Sequence, residues 1–207
     1  MVLKLAIFIS GRGSNMQALI ENCPKDLVQP VVVFSDKKNA AGLEIAKDAG
    51  IKVETLSPKD FQNRQDFDKA VIEKLAPYNV DLLCLAGFMR ILSPYFIQHW
   101  PTPILNMHPS LLPKYKGLNP HKQALEAGDI HSGCSVHLVT EELDGGHVLL
   151  QRDVSILDDD TEETLAARIL TEEHIAYPTV VTQLGKALKN GKDIRSALEF
   201  FEELGHL

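Results

Sequence analysis

The chain of 207 residues has little of what marks special environments. Its three cysteines, Cys23, Cys84 and Cys134, are odd in number and far apart, which argues against a disulfide framework. No apolar run approaches the roughly 20 residues of a membrane helix, and the amino terminus reads as a strand rather than a signal peptide. A cytoplasmic protein without a membrane partner is expected. Positive charge is also short: 21 Lys+Arg stand against 28 Asp+Glu, a net charge of −7. Nucleic-acid binding needs a basic face, and none is visible, so no nucleic-acid partner is expected. Several catalytic signatures are missing as well. There is no Gly-x-x-x-x-Gly-Lys-Ser/Thr loop, no full Gly-x-Gly-x-x-Gly, no Cys-x-x-Cys, no His-Glu-x-x-His and no Gly-x-Ser-x-Gly elbow.

What is present suits one α/β domain. The length allows a core that needs no staples, and 44% hydrophobic residues is ordinary for a globular protein. Val-, Ile- and Leu-rich segments at 4–9, 30–35, 52–56 and 81–85 read as buried strands. Helical stretches alternate with them: 14–22, opened by a Ser14-x-x-Gln17 capping box, 40–49, stopped by Gly50, and 60–76. This succession predicts a mostly parallel twisted sheet with right-handed crossovers, a Rossmann-like amino-terminal half. Beyond a fifth strand at 104–108 come a loop at 109–120, a short helix at 121–127, and strands at 133–140 and 147–156. Asp144-Gly145-Gly146 between the last two is hairpin chemistry, so they should be antiparallel neighbours. Asp160–Glu163 opens a long final helix that Pro178 should interrupt or kink. Without repeats or linkers, 1–207 is one expected domain.

The acidity is uneven. Residues 1–103 hold 12 basic and 11 acidic side chains, whereas 141–173 alone holds 11 acidic ones against Arg152 and Arg168. The near-neutral half still offers an anion site, because such sites use backbone amides rather than net charge. Ser10-Gly11-Arg12-Gly13-Ser14-Asn15 lies between the first strand and the first helix, where open α/β sheets bind ligands and a helix amino terminus favours phosphate. A plain tight turn with a cap fits those residues equally well. In Asn106-Met107-His108-Pro109, the proline holds His108 extended, so Asn106 and His108 share one side of a strand. An amide donor beside an imidazole suits acyl transfer, the amide for an oxyanion and the imidazole for protons. An exposed loop histidine beside a turn-capping asparagine is the competing reading. Asp144 would orient such a histidine, although alone it reads more simply as a turn residue. His131-x-x-Cys134-x-x-His137 resembles a metal cluster, but strand alternation turns Cys134 away from His137, so no metal is expected.

Taken in order, these residues resemble the phosphoribosylglycinamide formyltransferases, the folate-dependent formyl-group transferases of purine synthesis. The resemblance rests on Ile9–Asn15, Leu85–Leu92, Asn106–Pro113, Gly133–His137, Leu143–Gly146 and Glu172–His174, and it covers essentially the whole chain. It implies the formyltransferase fold, with 1–103 as the phosphate-binding half and 104–207 as the catalytic and folate-binding half. It implies 10-formyltetrahydrofolate as co-substrate and glycinamide ribonucleotide as formyl acceptor. Asn106, His108 and Asp144 match the catalytic three. Gly11, Arg12, Gly13, Ser14, Asn15 and Glu173 match the ribonucleotide contacts. Arg64, Met89, Arg90, Ile91, Leu92, Asn106, Thr140, Glu141, Leu143 and Asp144 match the folate contacts. Lys116, Asn119 and Pro120 depart from relatives, so positions 116–120 carry no expected chemistry. A formyltetrahydrofolate hydrolase shares the catalytic three, and a transferase acting on initiator methionyl-tRNA and a non-catalytic folate or nucleotide sensor are further rivals. Both monomer and homodimer fit.

Overall fold

Strand β1 (Leu3–Ile9) buries every residue except Lys4, and this continuous apolar run sets the centre of the molecule. In a computed structural model that describes residues 1–203, it is followed by α1 (Ser14–Asn22), β2 (Val28–Ser35), α2 (Gly42–Asp48), β3 (Lys52–Thr55), α3 (Arg64–Leu75) and β4 (Leu82–Leu85). Then come α4 (Pro94–His99), β5 (Ile104–His108), α5 (Pro120–Glu126), β6 (His131–Leu138), β7 (Val148–Ser155), α6 (Glu162–Lys189) and α7 (Ile194–Glu203). The strands form one seven-stranded sheet in the order β3-β2-β1-β4-β5-β6-β7. The first five are parallel, while β5–β6 and β6–β7 are antiparallel, as expected for the fold class.

Alternation along β1 sends its side chains to two cores. Leu5, Ile7 and Ile9 join a cluster with Met16 and Leu19 of α1 and Tyr177, Val181 and Leu184 of α6. Ala6 and Phe8 join Phe34, Phe67, Phe96 and Trp100, an aromatic cluster under α3 and α4. The carboxyl ends of β1, β4 and β5 therefore emerge between two helical layers, which is where a site is expected.

Several boundaries differ from the sequence reading. Ser14 does not cap α1; Gly13 does, with φ +76, and no side chain caps that end. An added Cβ on Gly13 would stand 3.0 Å from the Gly42 backbone, so close packing of α2 requires glycine there as well. The third helix starts at Arg64 behind an Asn63 cap, after a single 3-10 turn at Pro58–Asp60. The fifth starts one residue early, with Pro120 in its first turn. The long helix is capped by Thr161 in a reciprocal pair with Thr164, and Asp160 serves Arg168 instead. Pro178 does not interrupt that helix: α6 stays helical for 28 residues because its buried face anchors both sides of the proline. The Asp-Gly-Gly turn is part of a wider loop spanning 139–147, although its strands pair as expected.

Candidate active site

A cleft of about 420 Å³ opens above the carboxyl ends of β4 and β5. One wall is the segment after β4, with Gly87, Met89, Arg90, Ile91 and Leu92; the other is the 139–144 loop, with Thr140, Glu141, Leu143 and Asp144. Asn106 and His108 line it from β5, His137 from β6, and Gly117 to His121 from the long loop and the start of α5. Met89 is 71% exposed, Ile91 63% and Leu118 82%, so the rim carries large apolar side chains in water. Arg64, the first residue of α3, donates to the Ile91 carbonyl and lies beside this cleft in a small side pocket with Arg90 and Leu92.

Asn106, His108 and Asp144 converge as expected. Strand alternation aims Asn106 and His108 to one side, and the 139–147 loop brings Asp144 back over them. That return depends on glycine: a Cβ on Gly146 would stand 1.8 Å from the Leu138 carbonyl oxygen. Asp144 Oδ2 lies 3.5 Å from His108 Nδ1 and accepts from the Gly117 N–H at 2.8 Å, while Oδ1 lies 3.5 Å from His137 Nε2. Burial works to raise the Asp144 pKa, but a hydrogen bond with the His137 ring, the Gly117 N–H and the positive charge that His108 carries when protonated outweigh it and hold the group below 3.8.

The protons can be placed from partners. His108 Nε2–H donates to the Tyr115 carbonyl at 2.9 Å, leaving Nδ1 toward Asp144. Burial lowers the His108 pKa below 6.5, overcoming the Tyr115 carbonyl and the Asp144 charge, so the ring is neutral at pH 7. A lone pair then faces a carboxylate, and 3.5 Å is too long for a hydrogen bond. The two groups have room for one proton between them. His137 Nδ1–H donates to the Leu138 carbonyl, so its Nε2 accepts from Asn106 Nδ2 at 3.2 Å. One amide proton of Asn106 is thereby fixed and the other stays available.

The residues of the Gly11–Asn15 loop and Glu173 form a second cluster outside the walls of the cleft. Ser10 joins the two: its N–H donates to the Gly87 carbonyl, and its hydroxyl accepts from the Met89 N–H. The α1 amino terminus has no acidic residue in its first turn, and Gln17 is the first residue bonded back, to Gly13. The N–H groups of Ser14, Asn15 and Met16 therefore remain for an anion beside Gly11 and the exposed Arg12. Asn15 Nδ2 donates to Glu173 Oε2 at 2.6 Å, and Asn15 Oδ1 is buried without a partner among the described residues. Burial raises the Glu173 pKa to about 7 despite that donor.

His137, the Tyr115 carbonyl and the Gly117 N–H complete the site without having been read as part of it. His137 sits opposite Asn106 in the β5–β6 register, which no local pattern reveals. His131 is exposed against Asp153, Cys134 is buried, and no group of His, Cys, Asp or Glu among the described residues is placed to hold a metal.

The formyl transferase family pattern matches residues 3–181. The chain belongs to the formyl transferase family. Within that family, it is 48% identical to the phosphoribosylglycinamide formyltransferase of Escherichia coli (strain K12), over 87% of this chain and 86% of that protein. It is 45% identical to the trifunctional purine biosynthetic protein adenosine-3 of Bos taurus, over 86% of this chain but only 18% of that much longer one. Among solved structures, the phosphoribosylglycinamide formyltransferase of Brucella melitensis superposes with a TM-score of 0.84 at 46% identity, over 89% of this chain and 96% of that one. The resemblance read from the motifs is borne out.

Proposed function

We propose that the protein transfers the formyl group of 10-formyltetrahydrofolate to the amine of glycinamide ribonucleotide, in purine synthesis in the cytoplasm. The observation that carries this reading is the convergence of an amide with a free N–H, a neutral imidazole and a half-buried carboxylate at one apolar cleft. The cleft fits a flat heteroaromatic group, with Met89, Ile91, Leu92 and Leu143 against its faces and Arg90, Thr140 and Glu141 at its polar edges. Arg64 and Arg90 lack a carboxylate partner among the described residues and suit an acidic tail. When bound, the folate supplies a formyl carbon already activated as an N-aryl amide.

The remaining chemistry belongs to the chain. The α1 amino terminus and Arg12 hold the phosphate, and Glu173 with Asn15 Oδ1 meets the hydroxyls or the amine end of the ribonucleotide. As the amine attacks, Asn106 donates its free N–H to the formyl oxygen as negative charge gathers there. Asp144 takes the proton that the amine sheds and shares it with His108 Nδ1. The pair returns that proton to the departing nitrogen, and no charge is left behind. Residues 1–103 thus hold the phosphate and 104–207 carry the chemistry, within one domain.

Asn106→Ala tests the reading. Losing one oxyanion donor costs about 10²–10³ in kcat, and that loss is expected at nearly unchanged KM for the ribonucleotide. A loss below about tenfold in a folded variant contradicts the role.

A further inference from the structure

Helix α6 reaches the site twice from one face. Glu173 holds Asn15, and Tyr177, one turn further on, is fully buried beneath the sheet. The Tyr177 hydroxyl lies 3.0 Å from the Leu105 carbonyl and 3.1 Å from that of Leu85. A phenol has a single proton, so it is shared between carbonyls on two neighbouring strands. Phenylalanine would fill the same space without burying a hydroxyl, and burying one is unfavourable unless it is bonded.

The two carbonyls are not arbitrary. Leu85 is the last residue of β4 and pairs with Asn106 at the end of the parallel β4–β5 ladder. The Leu105 carbonyl belongs to the peptide whose nitrogen is that of Asn106, so its tilt sets where the Asn106 side chain leaves the strand. On the other edge of β5, Asn106 faces His137, which accepts its amide proton. Asn106 is thus fixed through its side chain by His137 and through its backbone by a hydroxyl from below.

We infer that Tyr177 is a positioning residue for the formyl-transfer step, its hydroxyl setting the aim of the Asn106 amide by tying the ends of β4 and β5 together. The inference rests on Asn106 acting as the oxyanion donor. A donor displaced by a fraction of an ångström loses much of its effect on a transition state while ground-state binding is little altered.

The test is a double-mutant cycle of Tyr177→Phe and Asn106→Ala, read as kcat for formyl transfer to glycinamide ribonucleotide. Tyr177→Phe alone should lower kcat by about tenfold, with both KM values within about twofold. In the Asn106→Ala background it should lower kcat less than about twofold, because there is no longer an amide to aim. A Tyr177→Phe kcat within about threefold of the parent, or the same loss in both backgrounds, overturns the inference. A small effect of Asn106→Ala alone overturns the oxyanion reading instead, so the two failures are distinct. Should Tyr177→Phe not fold, 3-fluorotyrosine at position 177 keeps the ring and strengthens the donor. It should shift the Asn106 side-chain amide resonance, and an unmoved resonance overturns the inference.

Discussion

In the proposed mechanism the half-buried carboxylate of Asp144, set between the rings of His108 and His137, takes a proton from the attacking amine. His108 Nδ1 lies 3.5 Å from Asp144 Oδ2, and the other ring nitrogen is occupied by the Tyr115 carbonyl. Because burial lowers the His108 pKa, the acceptor pair fills only below the ordinary imidazole range. The rate governed by this pair should therefore fall with acid at an apparent pKa below 6.5, measured as kcat/KM against pH. An acid limb at 7 or above that survives Glu173→Gln would contradict the assignment. Glu173 shifts in the other direction. Its folded-state pKa of about 7 lies above the ordinary 4.5, so its contribution to stability is complete below about 4.5 and is lost as pH rises through about 7. Raising pH from about 5 to about 8 should thus lower the wild-type Tm relative to Glu173→Gln, whose amide oxygen still accepts from Asn15. Thermal melts at the two pH values would show it, and parallel curves would count against a buried carboxylate.

At the scale of elements, β5 and α1 were legible to the residue, because an apolar run before His-Pro and a glycine loop before a helix leave few choices. The reading failed where partners far away in sequence decide. Gly13 rather than Ser14 ends α1 because α2 packs onto it, and Pro178 sits inside α6 because the helix is held along its length by β6, β7 and α1. α4 and α7 were not anticipated, being short segments whose apolar faces answer to α3 and α6. That Asn106 and His108 share one side of a strand could be read from spacing, whereas the place of His137 beside them needed the β5–β6 register. The 139–147 loop carries the sharpest element-level prediction. Gly146→Ala places a methyl against the Leu138 carbonyl and must push Asp144 off His108. Activity should drop by about tenfold or more, together with a lower Tm, since a backbone clash cannot relax as a side chain can. Wild-type kcat in that variant would show that the loop adjusts freely.

At the scale of the whole molecule, net charge proves a poor guide. The chain is acidic, yet Arg12, Arg64 and Arg90 have no carboxylate partner among the described residues, whereas Arg152 and Arg168 bond to Glu172 and Asp160. Arg12 stands in the Gly11–Asn15 loop and Arg64 and Arg90 beside the cleft, whereas most of the acids of 141–173 are on the surface. No helix among the described residues is long and apolar enough to cross a membrane. In the seven-stranded sheet, β1 leads into the Gly11–Asn15 loop, β5 carries Asn106 and His108, and Asp144 lies in the β6–β7 loop, so the groups of the proposed reaction gather at strand ends. The most direct measurement of the central claim follows loss of the formyl group from 10-formyltetrahydrofolate with and without glycinamide ribonucleotide. Turnover that requires the ribonucleotide and yields its formylated amine in equal amount is the predicted result. Formyl loss at the same rate without it would mean that water is the acceptor, and would contradict the account.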